Sequence, residues 1–343
     1  MIIISKYDKG ALNAGPKAKT DVEFICNKNF GATIKTYGDF IKENKCKRII
    51  KKILAKINLL FAIRKNEVTI IQIPFSKYTL ITSRIKTKIA FIHDIEGLRY
   101  HNSKRLDGEI NVLSKFKYIV AHNDSMKRFL VEKGIDESKI FTLDLFDYIC
   151  ENVPRKQSEN NAVDKIKIAY AGNLSKEKSP FLHQIKEDKI KFCIAMYGVG
   201  LEKDINAKIK YMGAFPPEEL PDAIEADLGL VWDGNYDDSD ENEDFKNYTK
   251  YNNPHKLSCY IAAGIPVIVW EKSAISKFVK KENIGYTISN IYDINKIDFS
   301  DYNTKKSNVQ KMQKKVREGY FTKSIIEKIL EMEQKSNNEK YSK

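Results

Sequence analysis

An α/β protein built on two doubly wound parallel sheets is what this sequence predicts, on three observations. Short apolar runs alternate with stretches of helical periodicity, the pattern of parallel strands joined by crossover helices. The chain has 343 residues, enough for two such domains with a core each. Near its middle the text turns polar, VPRKQSENNAVD, which reads as a linker over 151–164. The expected domains are 1–150 and 165–302, followed by a charged helical segment over 303–336.

In the first domain the apolar start MIIIS reads as a strand. The stretch LNAGPKAKTD (12–21) reads as a loop, with a helix starting near Thr20 or Asp21. Further strands are expected around 34–37, 67–75, 88–93, 118–121 and 140–143. Helices are expected over 103–116 and after a cap at Asn123 or Asp124. The second domain repeats the alternation, with strands expected around 165–171, 191–197, 209–212, 228–232, 266–270 and 285–288. In the tail Val309, Met312, Val316, Ile325, Ile329 and Leu330 are the expected docking residues.

Composition narrows the function class. No apolar run approaches the roughly 18–20 residues of a membrane span, so a cytoplasmic protein is expected. Five scattered cysteines without a CxxC pair argue against a disulfide framework or a zinc site. The net charge of +13 calls for an anionic partner. Nine Lys/Arg residues lie between Lys42 and Lys65, against the single acid Glu43. There Ile49, Ile50, Ile53, Leu54 and Ile57 recur at helical spacing, with Lys45, Arg48, Lys51, Lys52 and Lys56 opposite. Such a helix, near 42–63, either packs on its domain with a solvated basic face or meets an anionic membrane. A nucleic-acid partner ranks below both, because the run carries only Phe61 as an aromatic platform.

The residues with most chemical meaning lie in YTKYNNPHKLSCYIAAGIPVIVW (248–270). Asn252 or Asn253 can cap a helix, Pro254 suits its first turn, and Gly264 can end it. His255 and Lys256 then stand where unpaired backbone N–H groups and the helix dipole favour an anion, directly before a core strand. Gly172, Asn173 and Lys176 form a turn after a strand, as phosphate-binding turns do. Tyr197 and Gly198 end another strand, where the tyrosine either meets a nucleotide or is buried. His93 and Asp94 close a buried-looking strand of the first domain. Gly15, Pro16 and Lys17 belong to the loop after the first strand, a usual place for acceptor or phosphate contacts. The acidic stretch DDSDENED (237–244) contains an Asp-x-Asp spacing at Asp238 and Asp240, but with six acids in eight positions that spacing arises by chance. No metal site is expected there.

NNPHKLSCYIAAGIPVIVW resembles the nucleotide-sugar motif of a bacterial glycosyltransferase family with the GT-B fold. That family includes β-1,6-galactofuranosyltransferases of surface polysaccharides and glucosyltransferases that extend glycans on adhesins. AGPKAKTDVEFI (14–25), IAFIHDIEGLRY (89–100), IAYAGNLSK (168–176), MYGVG (196–200), YMGAFPPEELP (211–221) and GLVWDG (229–234) match further, in order along most of the chain. The first two resemble the galactofuranosyl branch more closely. The resemblance implies two facing Rossmann-like domains, with a C-terminal helix crossing back to the first. It implies a UDP-sugar donor, a glycan acceptor carried on a lipid, and no required metal or other cofactor. YMGAFPPEEL is similar to the segment that holds a uracil edge, here through Gly213, Ala214 and Phe215, with a helix from Pro216-Pro217. Asn253 and Lys256 are then the diphosphate contacts. The paired glutamates of retaining relatives are not evident before NNPHK, which implies inversion with a base from the first domain. Asp94 is the expected base with His93 orienting it, or the reverse. The expected reaction is galactofuranosyl transfer from UDP-galactofuranose to a surface polysaccharide or lipid-linked glycan. UDP-glucose transfer to a protein-bound glycan is the alternative, and a basic nucleic-acid-binding protein with a degenerate nucleotide cleft is the alternative of another class. A peripheral place on the membrane and a homo-oligomer both stay open.

Overall fold

The structure, a computed structural model, describes residues 1–5, 14–36, 68–74, 87–150, 166–201, 208–237 and 244–341. The linker expected over 151–164, the basic helix near 42–63, and Asp238 and Asp240 lie outside these residues. The described chain divides into two units. One takes in the first sheet and the residues from 321 onward, the other residues 14–17 and 144–320. Among the described residues no helix is long and apolar enough to cross a membrane.

The first unit is built on six parallel strands. They are β1 (Ile2–Ser5), β2 (Thr33–Thr36), β3 (Val68–Ile73), β4 (Thr87–Ile92), β5 (Tyr118–Ala121) and β6 (Ile140–Thr142). Their order is β2-β1-β3-β4-β5-β6. Ile3, Ile4, Ile70, Ile71, Ile89, Phe91, Ile119 and Val120 are buried, as the near-continuous apolar runs of a sheet covered on both faces require. The helices are α1 (Ala14–Phe30), α2 (Glu96–Arg99), α3 (Ser103–Leu113) and α4 (Asp124–Glu132). Asn123 caps α4 by accepting from the Ser125 and Met126 amides. One local expectation fails here: Gly15, Pro16 and Lys17 are not in a loop but in the first turn of α1. Proline lacks the N–H that an early helical position leaves unpaired, so Pro16 opens the helix rather than delaying it.

The second unit has the strands β7 (Lys167–Asn173), β8 (Cys193–Val199), β9 (Ile209–Gly213), β10 (Leu228–Val231), β11 (Val267–Trp270) and β12 (Gly285–Ile288). All pair in parallel, in the order β12-β11-β10-β7-β8-β9. The order reverses between β7 and β10, the switch point at which doubly wound sheets place ligands. Its helices are α5 (Phe181–Gln184), α6 (Leu220–Ala223), α7 (Asp244–Tyr248), α8 (His255–Ala263), α9 (Ile275–Lys281) and α10 (Tyr302–Glu318). Pro216-Pro217 form a turn, and the helix expected from them starts only at Leu220.

Two boundaries move. The second unit begins at Asp144 rather than after 150. Leu145, Phe146 and Tyr148 are buried, and the Tyr148 amide donates to the Val316 carbonyl of α10. The tail is not one segment returning to the first domain. Gly319, at φ 82°, breaks it into α10, which stays with the second unit, and α11 (Tyr320–Tyr341), which from Phe321 onward belongs to the first. On α11 the buried Glu333 accepts from Thr87 Oγ1 at 2.7 Å, from Tyr118 OH at 3.0 Å and from the Lys117 ammonium.

Candidate active site

At the switch point of the second sheet, β7 and β10 pair only as far as Ala169 and Gly229, then part. Helix α8 fills the gap with two side chains one turn apart. Tyr260 OH accepts from the Ala171 amide at 2.7 Å and donates to the Leu230 carbonyl at 3.2 Å, bridging the parted strands. Gly229 leaves room for its ring, since a Cβ there would stand 2.2 Å from Tyr260 Cγ. Lys256, four residues earlier, reaches the strand ends. Its Nζ donates to Tyr170 OH at 2.9 Å, to the Trp232 carbonyl at 2.9 Å and to Asp233 Oδ1 at 2.7 Å. Burial works against this ammonium, but Asp233 and Tyr170 outweigh it and hold its pKa above the ordinary lysine value. From Tyr170 the network runs on to Ser179 Oγ at 2.6 Å, which donates to the Asn173 carbonyl at 2.7 Å. The turn after β7 is thus tied to the start of α8 through buried polar groups.

Three neighbouring strands carry a glycine with positive φ at their last or penultimate position: Gly172 at 147°, Gly198 at 144° and Gly213 at 111°. Close approach requires it at two of them. A Cβ on Gly198 would lie 1.8 Å from the Gly172 carbonyl oxygen, and one on Gly172 would lie 2.9 Å from Lys256 Cε. Asn173 Oδ1 accepts from the Ser175 amide at 2.9 Å, which closes the turn, and Lys176 is exposed beyond it. Phe215 packs 6.1 Å from Tyr197, centroid to centroid, while Ala214 is exposed.

Several expected contacts point elsewhere. Asn253 does not cap α8; Pro254 stands at the cap position, and the Asn253 amide is 3% exposed and donates to the Asp144 carbonyl at 2.9 Å. His255 is stacked on Tyr148 at 4.9 Å, and burial, then the charge of Lys17, push its pKa down to about 3. A neutral, buried imidazole brings no charge to an anion. Tyr197 is buried and its hydroxyl accepts from the Glu225 amide at 3.0 Å, so its ring is no platform for a base. Lys17 is buried too, bonded to the Ile149 carbonyl and 5.1 Å above the Tyr148 ring. Lys256 uses three donors on the protein itself, all that an ammonium has. The start of α8, with no side-chain cap, leaves its first backbone N–H groups and dipole as the anion-attracting feature.

The first unit carries its own polar group at the strand ends. His93 Nε2 lies 2.6 Å from Gln72 Oε1, and the His93 amide donates to the Ile73 carbonyl at 2.8 Å. Asp94 is paired with Arg99 at 2.9 Å. His122, fully buried after β5, donates from Nε2 to the Ile92 carbonyl at 3.1 Å, and burial pushes its pKa down to about 4. Among the described residues no group of three or more His, Cys, Asp or Glu is placed to hold a metal ion. Gln72, Tyr170, Ser179 and Asp233 escape a reading of the sequence. Only Tyr170 and Asp233 left a signal, inside IAYAGNLSK and GLVWDG.

The chain matches two family descriptions: the glucosyltransferase 3-like N-terminal domain over residues 1–145 and the glucosyltransferase 3-like C-terminal domain over 168–329. It is 27% identical over 304 residues to the β-1,6-galactofuranosyltransferase WbbI of Escherichia coli (strain K12), covering 82% of this chain and 86% of that one. Glucosyltransferase 3 of Streptococcus gordonii is 25% identical over 257 residues, 73% of this chain and 72% of the relative. Among solved structures, Anabaena HepE in complex with UDP and glucose superposes with a TM-score of 0.62 at 12% identity, over 97% of this chain and 100% of that one. The lipopolysaccharide outer core galactosyltransferase WaaB gives 0.59 at 11% identity, over the same shares. Two doubly wound parallel sheets in one chain, shared with these enzymes, are the GT-B fold. With both halves matched, the chain belongs to the glucosyltransferase 3-like family of glycosyltransferases.

Proposed function

We propose that this protein transfers a hexose from a UDP-sugar to a hydroxyl of a growing glycan, with inversion and without a metal. The observation that carries the reading is the row of positive-φ glycines near the ends of β7, β8 and β9, beside the start of α8. There backbone can approach a diphosphate closely, and helix N–H groups and dipole can stabilise the charge of departing UDP. Gly172, Asn173, Gly198 and the first amides of α8 take the diphosphate, Gly213, Ala214 and Phe215 the uracil edge, and Lys176 adds charge from the rim. Lys256 holds the turn in place from beneath. A UDP complex of HepE supports the nucleotide.

The first unit supplies the base. Asp94 is committed to Arg99, so His93 is the better acceptor, as a neutral imidazole. It takes the proton of the acceptor hydroxyl while that oxygen bonds to the anomeric carbon. The bond from that carbon to the phosphate oxygen breaks, and UDP leaves with the electron pair. UDP-galactofuranose is the donor supported by the WbbI relative. UDP-glucose is the second reading, supported by the Streptococcus gordonii glucosyltransferase at 25% identity.

Purified protein incubated with a panel of UDP-sugars in chelator should release UDP from one of these two donors. No release from any UDP-sugar overturns the reading, and loss in chelator restored by manganese overturns its metal independence. A lipid-linked acceptor would give the basic run over 42–65 a purpose. Vesicles with acidic headgroups should then bind the protein and release it as salt rises, and absence of binding at low salt refutes that placement.

A further inference from the structure

Gln72 lies near the end of β3 and is fully buried, a place where an amide must be satisfied on both ends. Its nitrogen faces Ser5 Oγ at the end of β1, the Lys19 carbonyl at 3.2 Å and Glu23 Oε1 at 3.4 Å. Lys19 and Glu23 lie one turn apart on α1. A backbone carbonyl and a carboxylate can only accept, so this side of Gln72 has to be its NH₂ group. The amide is thereby locked, and its Oε1 is what meets His93 Nε2 at 2.6 Å. An amide oxygen can only accept as well, so Nε2 carries the hydrogen and Nδ1 is the basic nitrogen of the neutral ring. Further restraints hold the ring still: the His93 amide on the Ile73 carbonyl at 2.8 Å, and Phe91 at 5.4 Å between centroids. Nδ1 is shielded from bulk solvent.

We propose that Gln72 is a positioning residue, which through Ser5, Lys19 and Glu23 fixes His93 in the Nε2–H form and so makes Nδ1 the proton acceptor. The inference rests on the reading of His93 as the base, but its main consequence is visible without turnover. In protein labelled with ¹⁵N-histidine, the long-range proton–nitrogen spectrum assigns the tautomer of His93, with His93→Gln identifying its signals. The expected result is a protonated Nε2 and a bare Nδ1; a protonated Nδ1 in the neutral ring overturns the proposal. Gln72→Met removes the acceptor. It should let both tautomers appear and lower the kcat of UDP release about a hundredfold, the scale of a general base, with little change in KM. Exchanging the two side chains, Gln72→Glu with Glu23→Gln, keeps an acceptor for Nε2–H, gives the other carboxylate oxygen a donor, and should restore the tautomer. A folded Gln72→Met protein that retains a pure Nε2–H form and wild-type kcat overturns the proposal. Should that variant fail to fold, the wild-type spectrum and the exchanged pair decide. Wild-type protein with the expected tautomer but no UDP release from any donor refutes the transferase reading and leaves the tautomer assignment standing.

Discussion

Lys256 is the residue at which expectation and structure diverge most. Its place in the first turn of a helix suits a phosphate ligand, yet its side chain holds together three groups from two parted strands. Removing it strands the Asp233 carboxylate and the Trp232 carbonyl. Breaking a buried pair by deleting one partner costs about 3–5 kcal/mol, and the 28% exposure of Asp233 puts this case toward the low end. Lys256→Ala should therefore lower the urea midpoint as well as the affinity for UDP, since the Gly172 turn loses its support. Urea unfolding read by tryptophan fluorescence suits the purpose, because both tryptophans, Trp232 and Trp270, stand at strand ends of this unit. An unchanged midpoint with weaker UDP binding would make the ammonium a ligand after all.

Helix α11 shows how one side chain secures an element far along the chain. Ile326 and Ile329 are buried, and Glu333 places its carboxylate among Thr87, Lys117 and Tyr118. Burial alone would raise this carboxyl, but its hydrogen bonds and the charge of Lys117 hold it below the usual glutamate value. Burial and Glu333 together push the Tyr118 phenol up to about 12. Glu333→Ala leaves these donors without their shared acceptor, at roughly 1–3 kcal/mol. Faster amide hydrogen exchange over 118–121 and 325–333 is the expected signature. Exchange at the wild-type rate in both segments would mean that the apolar face of α11 suffices.

Acid stability involves the whole chain, because each unit buries one neutral histidine. His122 titrates at about 4 and His255 at about 3 in the folded protein, both below the ordinary histidine value of about 6.5. Between those values the unfolded chain binds more protons than the folded one, so stability rises with pH there. The contribution is full above about pH 6.5 and is lost as pH falls toward 4 and then 3. Each histidine adds up to about 1.4 kcal/mol per pH unit within its window. A series of urea midpoints should thus be level above neutrality and decline from pH 6.5 downward, with a shallower decline in a His122→Phe, His255→Phe variant. A midpoint that does not change between pH 7 and pH 5 would show that these rings are not held neutral.

Most of the strands were legible in the chain itself. Runs such as IIIS, EVTIIQI and IPVIVW are apolar on both faces, a local property that neighbouring residues carry. Asn123 as a cap and Gly264, at φ 76°, as a helix end are equally local, and the motif around NNPHK was enough to point to the family. The orientation of the site's side chains was not legible. The Asn253 amide answers to a carbonyl 109 positions away, and the Lys256 ammonium to a tyrosine 86 positions away. Periodicity and capping act over a few residues, so they place His255, Lys256 and Asn253 at a helix start. Which way a buried amide, imidazole or ammonium turns is decided by the cost of leaving it unpaired, and only folding brings its partners within reach.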